Sequence, residues 1–181
     1  MLQVSLLGEQ SVIGTAGSVR ARSSRAVALV AFLAVHAGAP QTRQRLAALF
    51  WPDSSDEQAL TNLRRELHHV RTVLGEDPSL VVTARDLCWT DAPSCRVDVR
   101  DFACDRAAAL AAAAAGEEEA SLARAVAAVE RYRGEFLPGI VRSPDGHSSE
   151  CIRSVGRRRS RYPSCGARPC CPDHLTLDFL G

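Results

Sequence analysis

The sequence predicts a mainly α fold with small β-sheets: an N-terminal antiparallel sheet, three helices, a β-hairpin, and then an incomplete pair of helices. Three observations carry this. The first residues alternate in hydropathy. Three stretches with helical signals come next, the last long and strongly amphipathic. Two short apolar runs then flank a polar turn before an alanine-rich texture takes over.

"MLQVSLLG" sets Leu2, Val4 and Leu6 on one face, the period-two pattern of a half-buried strand. Gly8, Gly14 and Gly17 punctuate the next stretch, and short strands are expected at 11–13 and 18–20. Ser23 or Ser24 is placed to cap the helix "RAVALVAFLAVHAG", which is apolar nearly all round and stops at Gly38. Such a helix sits centrally in a small core. Pro40 opens a turn, Thr42 is a second cap, and "RQRLAALFW" forms a shorter helix that Pro52 ends. A third helix runs over 56–74 and stops at Gly75, with Leu60, Leu63, Leu67, Val70 and Leu74 on one face. "SLVVTARDLCWTD" reads as a β-hairpin turning at 83–86. Beyond Val97, two alanine-rich stretches separated by Gly116 predict an antiparallel helix pair. From about residue 140 the helical period is lost and Ser, Pro, Gly, Arg and Cys dominate, a composition that predicts poor order.

The 181 residues allow one good domain and part of another. A net charge of +1 gives no global attraction to a polyanion, so any nucleic-acid site must be a local patch. All 22 basic residues are arginine. No run is long and apolar enough to cross a bilayer, and the N-terminus lacks the charged segment and apolar core of a signal peptide. The expectation is a cytoplasmic protein with no membrane partner, its seven cysteines reduced. No phosphate-cradling glycine loop, nucleophile elbow or metalloprotease motif is present, so no enzymatic activity and no cofactor is expected.

The stretch "LTNLRRELHHVRTVLG" at 60–75 is unusual for a surface helix. Opposite its apolar stripe lie Gln58, Thr61, Arg65, His68, His69 and Thr72, with Arg64 and Arg71 on the flank and Asn62 at the other edge. Only Glu57 and Glu66 interrupt that arc with negative charge. A solvated face on a core helix would account for composition alone. Position argues further. A donor-rich helix that is third of three and precedes a hairpin occupies the place of the recognition helix in a winged helix-turn-helix, whose wing is the hairpin. The adjacent His68 and His69 point about 100° apart on a helix and cannot share a metal.

Residues 1–95 resemble the OmpR-type winged-helix DNA-binding domain of the Streptomyces antibiotic regulatory protein family. The stretches that carry the resemblance are "VSLLGEQSV", "RSSRAVALVAFLAVHAGAPQTRQRLAALFWPD" and "ALTNLRRELHHVRTVLG". Residues 97–139 look like the opening of that family's bacterial transcriptional activation domain, a tetratricopeptide-like helical array, through "DVRDF" and "YRGEFLPG". Residues 140–181 have no counterpart, and a frameshift or premature end near Ile140 is expected to account for them.

The resemblance implies an activator-type transcriptional regulator that binds double-stranded DNA at direct repeats, as a homodimer on DNA, and meets RNA polymerase. It implies groove contacts by Thr61, Arg64, Arg65, His68 and Thr72 and a wing contact by Arg85. Arg43 and Arg45, at the start of the second helix, are placed to hold phosphates. The loop with Trp51, Asp53 and Ser54 corresponds to the polymerase-facing segment, although Trp51 equally suits a core. Two other readings compete. One is a protein-interaction module built on the helix pair, with DNA binding lost by truncation. The other is a zinc site in "CGARPCCPDH" from Cys165, Cys170, Cys171 and His174, disfavoured because adjacent cysteines are awkward tetrahedral ligands.

Overall fold

A computed structural model describes residues 1–14 and 24–137 of the chain. The expected strand at 18–20, the cap at Ser23, the cysteine-rich zinc candidate and the whole of 140–181 lie outside these residues. The fold is mainly helical with two small sheets. The chain opens with β1 (Leu2–Ser5) and β2 (Ser11–Ile13), then α1 (Ser24–Val35). A two-residue β3 (Gln41–Thr42) leads into α2 (Arg43–Phe50) and α3 (Asp56–Leu74). The hairpin strands are β4 (Leu80–Val82) and β5 (Asp86–Trp89). Then come β6 (Cys95–Val97) and the helices α4 (Asp98–Ala114) and α5 (Glu118–Arg131).

Local chemistry sets the helix ends. Thr42 caps α2 by accepting from the Arg45 amide at 3.2 Å, and Ser55 caps α3 by accepting from the Gln58 amide at 3.4 Å. Asp56 and Glu57 in the first turn of α3 and Arg71 in its last favour the helix dipole. The chain leaves α3 through Gly75 at φ 64°, a left-handed conformation that glycine adopts at little cost.

Two sheets flank the helices. The first has the order β2-β1-β6, and the second β3-β5-β4. β1 and β2 pair antiparallel, as expected, but β6 adds a third strand parallel to β1, with Leu2 opposite Cys95 and Val4 opposite Val97. β3 pairs antiparallel with β5, so the hairpin is a three-stranded wing anchored to the start of α2. Neither short strand shows a local hydropathy pattern.

α1 is buried nearly all round and packs against α3 and β5, which places it at the centre of the core. Leu2 and Val4 of the first strand and Leu6 just after it, Leu33 of α1, Leu63 and Leu74 of α3, and Leu87 and Trp89 of the wing are all 2 % exposed or less. Phe32 meets Phe50 edge-on at 6.2 Å between centroids.

The helix pair is clasped to the backbone of Leu6–Gly8, just after β1. Both carboxylate oxygens of Asp98 accept from the Leu6 amide at 2.9 Å, and Oδ2 also accepts from the Leu7 amide at 3.0 Å. Burial lifts the Asp98 pKa above its ordinary value, and the Leu7 and Leu6 donors pull it partly back. At the other end of the pair, the Gly8 amide donates to Glu135 O and the Leu137 amide to Leu6 O, each at 2.9 Å. Gly8 has φ 76°, and a Cβ there would lie 2.5 Å from the Arg133 carbonyl oxygen, so only glycine fits. The two helices themselves meet through Asp105, which is 7 % exposed and receives Arg131 Nε at 2.5 Å and Arg124 Nη1 at 3.3 Å.

Candidate nucleic-acid interface

α3 turns Ala59, Leu63, Leu67, Val70 and Leu74 into the core. Leu60, assigned to the same stripe by spacing, is only half-buried, and Ala59 takes the inner position. Gln58, Arg64, Arg65, His68, His69, Arg71 and Thr72 are exposed on the other side, as the sequence pattern predicts. The guanidinium groups of Arg64, Arg65 and Arg71 make no hydrogen bond or ion pair with the described residues. Glu66 is half-buried, with an Oε2 shielded from solvent, so it interrupts this face less than its position in sequence suggests.

The two threonines differ from the arginines. Thr61 Oγ1 donates to Glu57 O and Thr72 Oγ1 to His68 O, both at 2.9 Å. Each hydroxyl proton is therefore spent within the helix; Thr72 is exposed, but Thr61, expected on the same outward arc, is half-buried. Gln58 Nε2 donates to Asn62 Oδ1 at 3.0 Å. The rings of His68 and His69 lie 6.1 Å apart, a contact between neighbours rather than a shared ligand site.

The wing turn is fixed from both sides. Thr83 Oγ1 accepts from the Asp86 amide at 2.9 Å and from the Arg85 amide at 3.3 Å. Arg43 Nε and Nη2 donate to Thr83 O at 3.1 and 2.9 Å, and the Arg43 amide donates to Arg85 O at 2.9 Å. The structure thus brings Arg43 and Arg85 together at the turn, and leaves the Arg85 side chain exposed at its tip. Arg43 is committed to the wing. Arg45 Nη1 donates to Gln41 Oε1 at 2.9 Å, and its other N–H groups remain outward.

Trp51 is core. It is 7 % exposed, lies 6.0 Å from Phe50, and carries the Arg25 guanidinium over its ring at 5.6 Å. Its neighbours on the same loop, Asp53 and Ser54, are exposed and half-buried. Of the two places the sequence allowed for Trp51, the structure gives it the core one, which apolar area and an overlying cation favour.

Cys88 and Cys95 are half-buried and neither is in a disulfide. Burial pushes the Cys95 thiol up to about 11, so it stays protonated and is a poor nucleophile. Among the described residues no cluster of His, Cys, Asp and Glu is arranged to hold a metal, and no helix is long and apolar enough to cross a membrane. Sequence reasoning missed Gly8 and Asp98. Their partners lie far along the chain, 92 residues separating Leu6 from Asp98, and leave no local signal.

No family model matches the sequence, and no curated protein matches it. Among solved structures, the chain is similar to Mycobacterium tuberculosis EmbR in complex with a low-affinity phosphopeptide, with a TM-score of 0.65 and 20 % identity. The match covers 85 % of this chain and 42 % of EmbR, so the chain spans less than half the length of that neighbour. At this identity the likeness concerns fold. The chain has a winged-helix fold of the type seen in the Streptomyces antibiotic regulatory proteins.

Proposed function

We propose that the chain is a sequence-specific, activator-type transcriptional regulator that binds double-stranded DNA, with α3 in the major groove and the wing on the phosphate backbone. One observation carries this reading: α3 presents Arg64, Arg65 and Arg71 outward, unpaired among the described residues, beside a wing whose tip presents Arg85. An arginine held away from carboxylates keeps its planar fork for guanine edges or phosphates. Thr61 and Thr72 offer methyl groups to thymine, and His68 reaches the same groove. In this reading Arg43 positions Arg85, and Arg45 meets phosphate with the N–H groups not used on Gln41. The winged-helix likeness to EmbR supports it. So does the resemblance of 1–95 to a DNA-binding domain and of 97–139 to an activation domain, with RNA polymerase as the partner of the Asp53–Ser54 surface and the cytoplasm as the place of action.

Fluorescence anisotropy on a site selected from random duplexes tests the proposal. Arg65→Ala is expected to weaken binding by about 1–3 kcal/mol and to relax preference at one position. Arg85→Ala is expected to weaken all sequences alike and to lower the salt slope by about one unit. A double variant, Arg64→Ala with Arg65→Ala, that keeps both affinity and preference would remove α3 from the interface.

A further inference from the structure

The first turn of α3 holds a neutral pair that the arginines of its outer arc leave aside. Gln58 Nε2 donates to Asn62 Oδ1 at 3.0 Å, one helical turn on, with Gln58 exposed and Asn62 half-buried. The backbone beneath is fixed as well, since the Gln58 amide donates to the Ser55 hydroxyl at 3.4 Å. A carboxamide nitrogen carries two hydrogens. After the bond to Asn62, the Gln58 side chain keeps one N–H and its carbonyl oxygen, and neither has a partner among the described residues. A donor and an acceptor on one amide are what adenine asks for in the major groove, where its N7 accepts and its N6 donates.

Charge separates a base contact from a phosphate contact. Asp56 and Glu57 lie exposed in the same turn, so a phosphate there meets two like charges, whereas an uncharged amide can still meet a base edge. The first residues of a recognition helix are also those that reach base edges in a helix-turn-helix. We propose that Gln58 reads an adenine in the major groove and that Asn62 is its positioning residue, holding the amide without touching the base. The proposal rests on the placing of α3 in the groove and adds a base to it. A side chain already held by its neighbour gives up less rotamer freedom on docking. Gln58 and Arg65 lie close to one line along the helix, two turns apart, or about 10 Å at about 1.5 Å per residue. At about 3.4 Å per base along a strand, the adenine falls about three base pairs from the position that Arg65 reads.

The full chain and its variants, matched for helicity by circular dichroism, are compared by anisotropy on a duplex selected from random sequences and on duplexes changed one base pair at a time. The parent is expected to prefer A·T about ten-fold or more at one pair, about three from the pair that Arg65→Ala relaxes. Gln58→Ala should lose that preference alone, with the other preferences and the salt slope unchanged, since a neutral amide releases no counterion. Asn62→Ala should blunt the same preference. Asn62→Asp keeps the accepting oxygen, so it should retain the preference while its added charge weakens binding to all duplexes alike. Gln58→Ala with every base preference intact overturns the proposal, and a fall in its salt slope would assign Gln58 to phosphate instead. Full preference in Asn62→Ala overturns the positioning role. A parent that binds no duplex, or binds all alike, overturns the placing of α3 in the groove and this proposal with it.

Discussion

The winged-helix part and the helix pair hold their helices by different means. In the first, α1 and α3 bury leucine, valine and phenylalanine against Trp89 and the first sheet. In the second, the buried residues of α4 and α5 are Val99, Ala103, Ala109 and Ala128 together with one aspartate, Asp105, while Leu110, Leu122, Val126 and Val129 face solvent. Alanine gives helix propensity at no side-chain entropy cost but little apolar area. The pair therefore depends on a few polar contacts: two arginines of α5 on Asp105 of α4, and the clasp of its ends to the segment Leu6–Gly8 that follows β1. A helix can be strongly specified in sequence and still owe its position to a few distant hydrogen bonds.

The largest expected effect removes the burial on which the first region relies. Trp89→Ala is expected to cost about 3–5 kcal/mol, because the indole is 1 % exposed and its removal leaves a cavity. Denaturant unfolding should lose the winged-helix part and, with it, the helix pair. A helix pair that keeps its ellipticity after the winged part has unfolded would break the dependence argued above.

Gly8→Ala attacks the clasp instead. The added Cβ meets the Arg133 carbonyl oxygen at 2.5 Å on a backbone with φ 76°. About 2–4 kcal/mol of destabilisation is expected, concentrated in the helix pair. Calorimetry should resolve an early transition of the pair ahead of the main one. One unchanged transition would mean that the pair is held without Gly8.

Asp98 sharpens the comparison further. Asp98→Ala leaves the Leu6 and Leu7 amides without their acceptor and is expected to cost about 1–3 kcal/mol. Asp98→Asn should cost less, since burial disfavours the charged form and the amide oxygen still accepts. Because the folded-state pKa is raised, the contribution of this group is fully present below the ordinary carboxylate value and is lost as pH rises through the raised one. Urea midpoints across mildly acidic pH check both points: the parent should lose a stabilising term with rising pH that the Asn variant does not.

The smallest effect belongs to the winged part. His36 stacks on Phe32 at 4.2 Å, and its Nδ1 pairs with Phe32 O at 2.8 Å. Burial lowers its pKa below the ordinary 6.5, the Phe32 carbonyl opposes that, and Arg45 lowers it further. A lowered pKa means stability present above pH 6.5 and lost as pH falls through the folded-state value. A modest fall in melting temperature on acidification should vanish in His36→Phe. An equal fall in that variant would assign the pH dependence to another group.

Much of the winged part was legible in the sequence because its signals are local. Thr42, Pro52 and Gly75 bound α2 and α3 where the structure has them, and the period of Leu63, Leu67, Val70 and Leu74 names the buried face. The hairpin turn is signalled by the polar run between two apolar ones. β3 and β6 were not legible: two and three residues carry no period, and their pairing partners lie far along the chain. The outward residues of α3 could be read from its wheel, but not which of them are already engaged. Thr61 and Thr72 spend their protons on their own helix, and Arg43 grips the wing rather than standing free. Trp51 read equally as surface or core, and packing against Phe50 and Arg25 settles it as core.

The tie between Arg43 and the wing turn has a consequence for binding entropy. A hairpin loop left to itself samples many orientations, and docking it on a ligand costs the freedom it gives up. Here β3 pairs with β5, and the guanidinium of Arg43 clasps the Thr83 carbonyl. These contacts tie the wing turn to the start of α2. In the DNA-binding reading proposed above, α3 and the wing act as a pair of calipers held at one opening. A ligand whose charges match that opening meets little ordering cost, and one that does not match cannot be accommodated by a swing of the wing. On that proposal, Arg43 contributes to selectivity through the wing it holds, without touching the DNA itself.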